Sequence, residues 1–431
     1  MKMRIFRSGL KFKRPERSAI GCSGSPPFST IESSCYSNLE NGKVVFAPGG
    51  AAQPQSLGSR RCSATIVSSP SEIAELEPFV RTLVTEPGML APRFFLASLV
   101  VHRWEPHVVV VSRDQRVLGL FYCKELVLAG VRTRIAYFDD ALGAMVAASP
   151  EDAGLVIRSA VELLLKRMVG LRFLVPVGRL VPLLSVQSVA DLDFRRAEPH
   201  DHLELPRTYD EFLAKLGPCT RRNFRRYRRR SELAGNEFVP DQTFPDFCSA
   251  ARRLFPKAAY AGDRGNFERC LAMIEAMPSR VLVGLRRKGG EWIGLAGGWH
   301  IGDRTILLAQ LNDRDSGRAS ISTLLRSYLI EALIGRGTRE LIFWANSSDP
   351  LSWHCTSPET FVAYIDSRSL PWRLVRRASA IVEKVVPRKL SKLLEWIVPD
   401  EGAKLTQLWR EHPSHEQQGL RLEARLPEVD R

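Results

Sequence analysis

Thr305-Ile-Leu-Leu-Ala-Gln-Leu-Asn312, then Arg314-Asp-Ser-Gly-Arg-Ala319, then an apolar-periodic run from Ser320 to Gly335 reads as strand, tight turn and helix. The turn carries the spacing Arg-x-x-Gly-x-Ala. A helix N-terminus offers backbone N–H groups without intrahelical partners at the positive end of the helix dipole. An anion fits there, Gly317 and Ala319 keep the approach to the main chain open, and Arg314 and Arg318 add charge. The expectation is a nucleotide-type cofactor. Taken alone, the motif fits equally a strand-to-helix turn that binds nothing.

Upstream of this stretch, helices are expected from about Pro245 to Leu254 and from Phe267 to Ala276, then strands over Val281–Arg286 and Trp292–Ile301. Downstream, Glu340–Trp344 and Phe361–Ile365 read as strands. A similar order occurs nearer the N-terminus. Helices near Ser71–Val84 and Arg93–His102 precede strands at His107–Ser112, Val117–Leu128 and Val131–Phe138, a helix over Glu151–Met168 and a strand at Leu171–Val175. Helix pair, meander, helix and strand appear twice, which implies a tandem duplication of one α/β unit.

The segment between the halves is sharply punctuated. Thr208-x-x-Glu211 is a capping box, Gly217 is placed to end the helix it opens, and Pro218 suits the first turn of the next helix, running through seven arginines to Gly235. Helical spacing puts Leu216, Thr220, Phe224 and Tyr227 on one inward stripe. Domain limits follow: a disordered leader over 1–65, an N-terminal domain over 66–206, basic connecting helices over 207–236, a second domain over 237–370, and a helical extension with a polar tail over 371–431.

The formal charge of +15 is concentrated, since Met1–Arg17 and Arg221–Arg230 together supply +13 of it. With no broad basic face, nucleic acid is not the expected partner. The eight cysteines include no C-x-x-C pair, which fits a reducing, cytoplasmic setting without a structural zinc. No metal site is expected; His200-x-His202 reads as a solvated strand end. The longest apolar run, Phe173–Ala190, is broken by Pro176, Arg179 and Pro182, so no membrane span is expected.

Strand, Arg-x-x-Gly-x-Ala turn, helix and strand resembles the acyl-CoA-binding core of the GNAT acetyltransferase superfamily. Tyr209 to Gly235 looks like the helix-plus-arginine signature of its tandem-domain, CelD-like branch, which is related to FemAB-type transferases. The resemblance spans about residues 75–365. It implies an α/β (α+β) fold of two tandem GNAT-like domains, each a mixed, mainly antiparallel sheet flanked by helices. It also implies an acyltransferase using acetyl-CoA or another acyl-CoA, acting on a small-molecule or glycan-precursor acceptor. By the same resemblance Gln310, Leu311, Asn312, Arg314, Gly317, Arg318, Ala319 and Ser320 would hold the cofactor. Its pantetheine would lie in the splay between the strands Thr305–Asn312 and Glu340–Trp344.

Direct acyl transfer needs an oxyanion-stabilising N–H, a base and an acid, with no metal or covalent nucleophile. His354, Asp349 and Ser352, in the loop after the second of those strands, are the candidates for proton transfer. Arg221 and Arg225 are candidates for binding an acidic substrate. The chain departs from its relatives at Phe343-Trp-Ala-Asn-Ser-Ser-Asp-Pro350, where they carry an Asp-Phe-Leu-x-Gly run and then Tyr-Lys. Two alternatives therefore stand beside the first reading: an aminoacyl-tRNA-dependent FemAB-like transferase, and a non-catalytic binding module of the same fold.

Overall fold

The computed structural model describes residues 62–368, apart from 85–87, 101–103, 115, 129–130, 139–144, 177–180, 198–199, 259–263, 315–319, 345–350 and 352–353, together with 39–40 and 43–44. The chain divides into two units, 1–56 and 57–431. In the first, β1 (Leu39–Glu40) and β2 (Lys43–Val44) pair antiparallel. The expected helical extension over 371–431 lies outside the described residues.

The larger unit begins with β3 (Cys62–Val67), α1 (Pro70–Glu75), α2 (Glu77–Leu83) and α3 (Pro92–Ala97). A meander of β4 (Trp104–Arg113), β5 (Arg116–Leu128), β6 (Val131–Phe138) and β7 (Met145–Ala147) follows. The helix α4 (Pro150–Leu164), opened by Ser149 accepting from the Asp152 N–H, crosses to β8 (Gly170–Pro176). After a 3-10 segment come β9 (Asp191–Ala197) and β10 (Asp201–Glu204), then α5 (Tyr209–Lys215) and α6 (Pro218–Leu233). The remainder is β11 (Glu237–Val239), α7 (Phe244–Leu254), α8 (Arg264–Ala276), β12 (Arg280–Arg286), β13 (Trp292–Ile301), β14 (Arg304–Asn312), α9 (Ile321–Gly335), β15 (Glu340–Phe343) and β16 (Thr360–Asp366).

These strands build two mixed, mainly antiparallel sheets flanked by helices, as expected. The first has the order β3-β4-β5-β6-β8-β16-β9, and the second β10-β15-β14-β13-β12-β11. Each has one parallel step with a helical crossover: β6 to β8 through α4, and β14 to β15 through α9. The slot beside that step is filled by exchange. β16, late in the chain, enters the first sheet between β8 and β9, and β10, from before the connecting helices, pairs with β15 in the second.

Alternation along the strands of the second sheet divides its core in two. Leu341 and Phe343 face α5, α6 and α9, whereas Ile342 and Trp344 face α3, α7 and α8. The capping box is formed: Thr208 accepts from the Glu211 N–H at 3.2 Å and Glu211 accepts from the Arg207 N–H at 3.2 Å. Gly217 takes an extended conformation, φ −58° and ψ 151°, and serves as N-cap of α6. Phe224 is fully buried and Tyr227 packs against the same core, as the stripe predicts. Arg228, on that face too, pairs with Glu331 of α9 and lies over the rings of Tyr209 and Tyr328.

Candidate functional site

β14 and β15 stay paired only from Arg304–Glu340 to Leu307–Phe343, with one further bond from the Trp344 N–H to the Leu307 carbonyl at 3.0 Å. β14 continues to Asn312, and among the described residues no strand pairs with it on that side beyond Leu307. At the same place the β13–β14 register slips: Gly298 faces Leu307 and Gly297 faces Ala309, leaving Leu308 as the extra residue of a bulge. The bulge sends both Leu308 and Ala309 toward the α7/α8 core and turns Gln310 to the α9 side. Gly298 is required by the close approach, since a Cβ there would lie 1.9 Å from the Ile306 carbonyl oxygen.

Gln310 is held on three sides. Its Nε2 donates to Asn312 Oδ1 and to Ser322 Oγ, each at 3.1 Å, and its Oε1 accepts from Arg326 Nε at 2.9 Å. The Arg326 guanidinium also lies 4.8 Å from the centroid of the Phe343 ring. One arginine of α9 thus bridges β14 and β15. Sequence reading missed Arg326 and Ser322; an arginine among Leu324, Leu325, Leu329 and Ile330 was the available signal.

Helix α9 opens differently from α4, α5 and α7, whose first turns are capped by Ser149, Thr208 and Thr243. Its N-cap, Ser320, is left-handed at φ +44° and its hydroxyl donates to Thr323 Oγ1 at 2.8 Å, giving no side-chain cap to the helix N–H groups. Ser320 thus leaves the leading N–H groups of α9 without the side-chain cap that the other three helices have. Gly317, Arg318 and Ala319 lie outside the described residues. Arg314 is tied to the end of the 3-10 turn after α7: its N–H donates to the Lys257 carbonyl at 3.0 Å and its guanidinium to the Ala258 carbonyl at 3.4 Å. The side chain of Leu311 is buried in the core.

A cleft lies between the first sheet with α3 and, from the second half, α8 and Trp344. The first half contributes Met89, Phe94, Phe95, Ser98, Tyr122, Lys124 and Phe138, the second Arg269, Met273 and Trp344. Its walls are apolar and aromatic, with two cationic side chains entering. Lys124, only 2% exposed, places its ammonium 4.8 Å from the Trp104 ring centroid. Arg269 donates from Nη2 to Asn266 Oδ1 at 2.7 Å, and its buried Nε makes no hydrogen bond among the described residues. The Tyr122 hydroxyl donates to the Leu90 carbonyl at 2.8 Å, and burial raises its pKa above the ordinary tyrosine range. Trp344 belongs to both features, its N–H closing the last β14–β15 bond and its ring lining the cleft.

His354 lies half-buried between Leu351, which is fully buried, and Thr356, which exchanges backbone bonds with His202. Asp349 and Ser352 are outside the described residues. Arg221 and Arg225 sit on α6, packed on the α9 side of the second sheet, while the cleft opens on the opposite, α8 side. The histidine pair is not a solvated strand end. His200 stacks on Trp344 with ring centroids 5.2 Å apart, and His202 Nδ1 lies 2.8 Å from Glu340 Oε1. Burial lowers the pKa of His200, and the His202 bond lowers that of Glu340.

No family model and no curated protein matches the chain. Among solved structures it is similar to FemX, at 11% identity and TM-score 0.47 over 70% of this chain and 96% of that one. The C-terminal domain of a putative lysylphosphatidylglycerol synthetase from Agrobacterium fabrum gives 11% identity and TM-score 0.47 over 73% and 98%. A tandem GNAT protein from the clavulanic acid biosynthesis pathway gives 14% and 0.42 over 72% and 99%. No described helix is long and apolar enough to cross a membrane.

Proposed function

We propose that the protein is an acyltransferase that takes an acyl group from acetyl-CoA or another acyl-CoA, as in the CelD-like branch its sequence resembles. The observation that carries this reading is the end of the β14–β15 pairing at the Leu308 bulge, with the start of α9, uncapped by a side chain, following on from β14. Arg314 and the turn Gly317-Arg318-Ala319-Ser320 hold the pyrophosphate, and the main chain of Gln310, Leu311 and Asn312 runs along the pantetheine. Acyl-CoA supplies an activated thioester carbonyl. A main-chain group released from the ladder at the bulge stabilises the oxyanion. His354, assisted by Asp349 and Ser352, takes the proton from the amine or hydroxyl as it attacks the carbonyl carbon and forms the new C–N or C–O bond; collapse of the resulting oxyanion breaks the C–S bond, and the departing thiolate takes that proton from His354 to leave as the free thiol.

The cleft supplies the acceptor site. Lys124 and Arg269 among aromatic walls suit a small-molecule or glycan-precursor acceptor bearing an anionic or polyhydroxyl group. The test is thermal stabilisation by a series of CoA thioesters, repeated on Arg314→Ala and Gly317→Trp. Stabilisation of the parent protein that is lost in both variants is the expected result. Failure of every acyl-CoA to raise Tm removes the reading.

One observation favours a second donor. Arg222, Arg225, Arg226, Arg229 and Arg230 form an exposed cationic face on α6, which an aminoacyl-tRNA would use. Salt-sensitive tRNA binding abolished by Arg225→Ala with Arg226→Ala would select that donor over acyl-CoA.

A further inference from the structure

On the face of the first sheet turned away from the cleft, β4 and β5 bring three ligand-type side chains together. Glu105 lies directly opposite Glu125 in the β4–β5 register, and His107 stands two residues along β4 on the same face. One donor atom from each of Glu105, His107 and Glu125 lies within 4.8 Å of the others. His107 Nε2 and Glu125 Oε2 are 3.5 Å apart, close to the ~3.4 Å separating two ligands on one tetrahedral ion with bonds near 2.0–2.1 Å.

Each of the three is oriented by a second partner. His107 Nδ1 is 2.8 Å from Ser68 Oγ, which fixes the ring and leaves Nε2 pointing inward. Glu125 Oε1 accepts the Arg134 N–H at 2.6 Å, and Arg134 is held at φ +59° where the β5–β6 register slips after Glu125. Glu105 Oε1 is held by Arg132 Nη2 at 2.6 Å. Rings and carboxylates braced in this way are how metal ligands are presented. His107 is 6% exposed, and its Nε2 makes no hydrogen bond among the described residues; the atom it faces is Glu125 Oε2, 3.5 Å away, a spacing too long for a good direct hydrogen bond and suited to a shared ion.

We infer that Glu105, His107 and Glu125 form a binding site for one divalent transition-metal ion, with zinc as the natural probe. The donors are His107 Nε2, Glu125 Oε2 and a Glu105 carboxylate oxygen, two anions and a neutral imidazole that match a dication. Glu105, the most exposed of the three at 24% of its side chain, marks the entry side, where water completes the coordination. The ion would clasp β4 to β5 and, through Arg132 and Arg134, to β6.

The test uses the full chain, stripped with chelator and then titrated with zinc sulfate by calorimetry and with cobalt(II) by absorption spectroscopy. One zinc per chain, a rise in Tm on loading and an intense tetrahedral cobalt ligand-field spectrum are expected. His107→Gln and Glu105→Gln should each weaken binding at least tenfold and alter the cobalt spectrum, with the fold checked by circular dichroism. Should His107→Gln fail to fold, the partly exposed Glu105→Gln carries the comparison. Absence of saturable zinc uptake by the parent chain, or binding unchanged in folded Glu105→Gln, overturns the assignment.

Discussion

Arg172 Nη2 donates to Asp366 Oδ1 at 2.7 Å across 194 positions of sequence. The pair locks β16 into the first sheet beside β8, with both side chains largely buried, at 18% and 12% exposure. Removing one partner leaves a mostly buried charge unpaired. Asp366→Ala should lower stability by about 2–3 kcal/mol, below the full cost for a wholly buried pair. Arg172→Met in the same background should recover part of that loss. Urea unfolding of the two single variants and the double variant gives the coupling directly.

Gly298→Ala tests the bulge. The added methyl would press into the Ile306 carbonyl, on backbone that has little room to move. A loss of more than about 2 kcal/mol is expected. Any folded fraction should also lose stabilisation by acyl-CoA. Unchanged Tm together with unchanged CoA response would show that the Leu308 bulge is dispensable.

The arginines of α6 should divide into two groups. Arg228 is bound to Glu331 and stacked between Tyr209 and Tyr328, so Arg228→Met is expected to cost about 2 kcal/mol. Arg225 is exposed, and Arg225→Ala should stay within about 0.5 kcal/mol. Parallel denaturant titrations read the difference. Equal effects at both sites would refute the packing role given to Arg228.

Stability should fall on mild acidification. Burial holds His200 and His300 below the ordinary histidine value of about 6.5, so the folded protein keeps them neutral where the unfolded chain takes up protons. Their contribution is complete above about pH 6.5 and is lost as pH drops below it. Glu340, held low by His202, acts in a lower window: its contribution is present above the ordinary carboxylate pKa and disappears as pH falls through its folded value. Tm measured across pH should decline first in the histidine window, and His200→Gln should flatten that part of the curve. An unchanged slope in the variant would contradict the assignment to His200.

Much of the second half was legible because its signals are local. The capping box at Thr208, the meander over β12–β14 and the periodic run of α9 appear within a residue or two of their expected limits. What escaped depends on distant partners. β9, Asp-Leu-Asp-Phe-Arg-Arg-Ala, has too few apolar residues to announce itself and becomes a strand by pairing with β16. The expected leader takes in residues 62–65 of β3, a stretch without periodicity in the sequence; it belongs to an edge strand on β4. The site divided in the same way. The strand-to-helix turn could be read from spacing, whereas the Gln310–Arg326 bridge, the stacking of His200 on Trp344 and the Glu105–His107–Glu125 cluster arise only once the sheets assemble.

The exchange of β16 and β10 also sets an order in time. A ribosome adding about 5–20 residues per second needs on the order of 10–40 s to pass from Arg172 to Asp366, which are 194 positions apart. Throughout that interval the open side of β8 has no strand to receive it, and an unpaired edge invites association with other chains. The earlier-made half is therefore completed last. Slowed or interrupted translation between the two sheets should be a greater hazard to this protein than any single weak contact in its finished form.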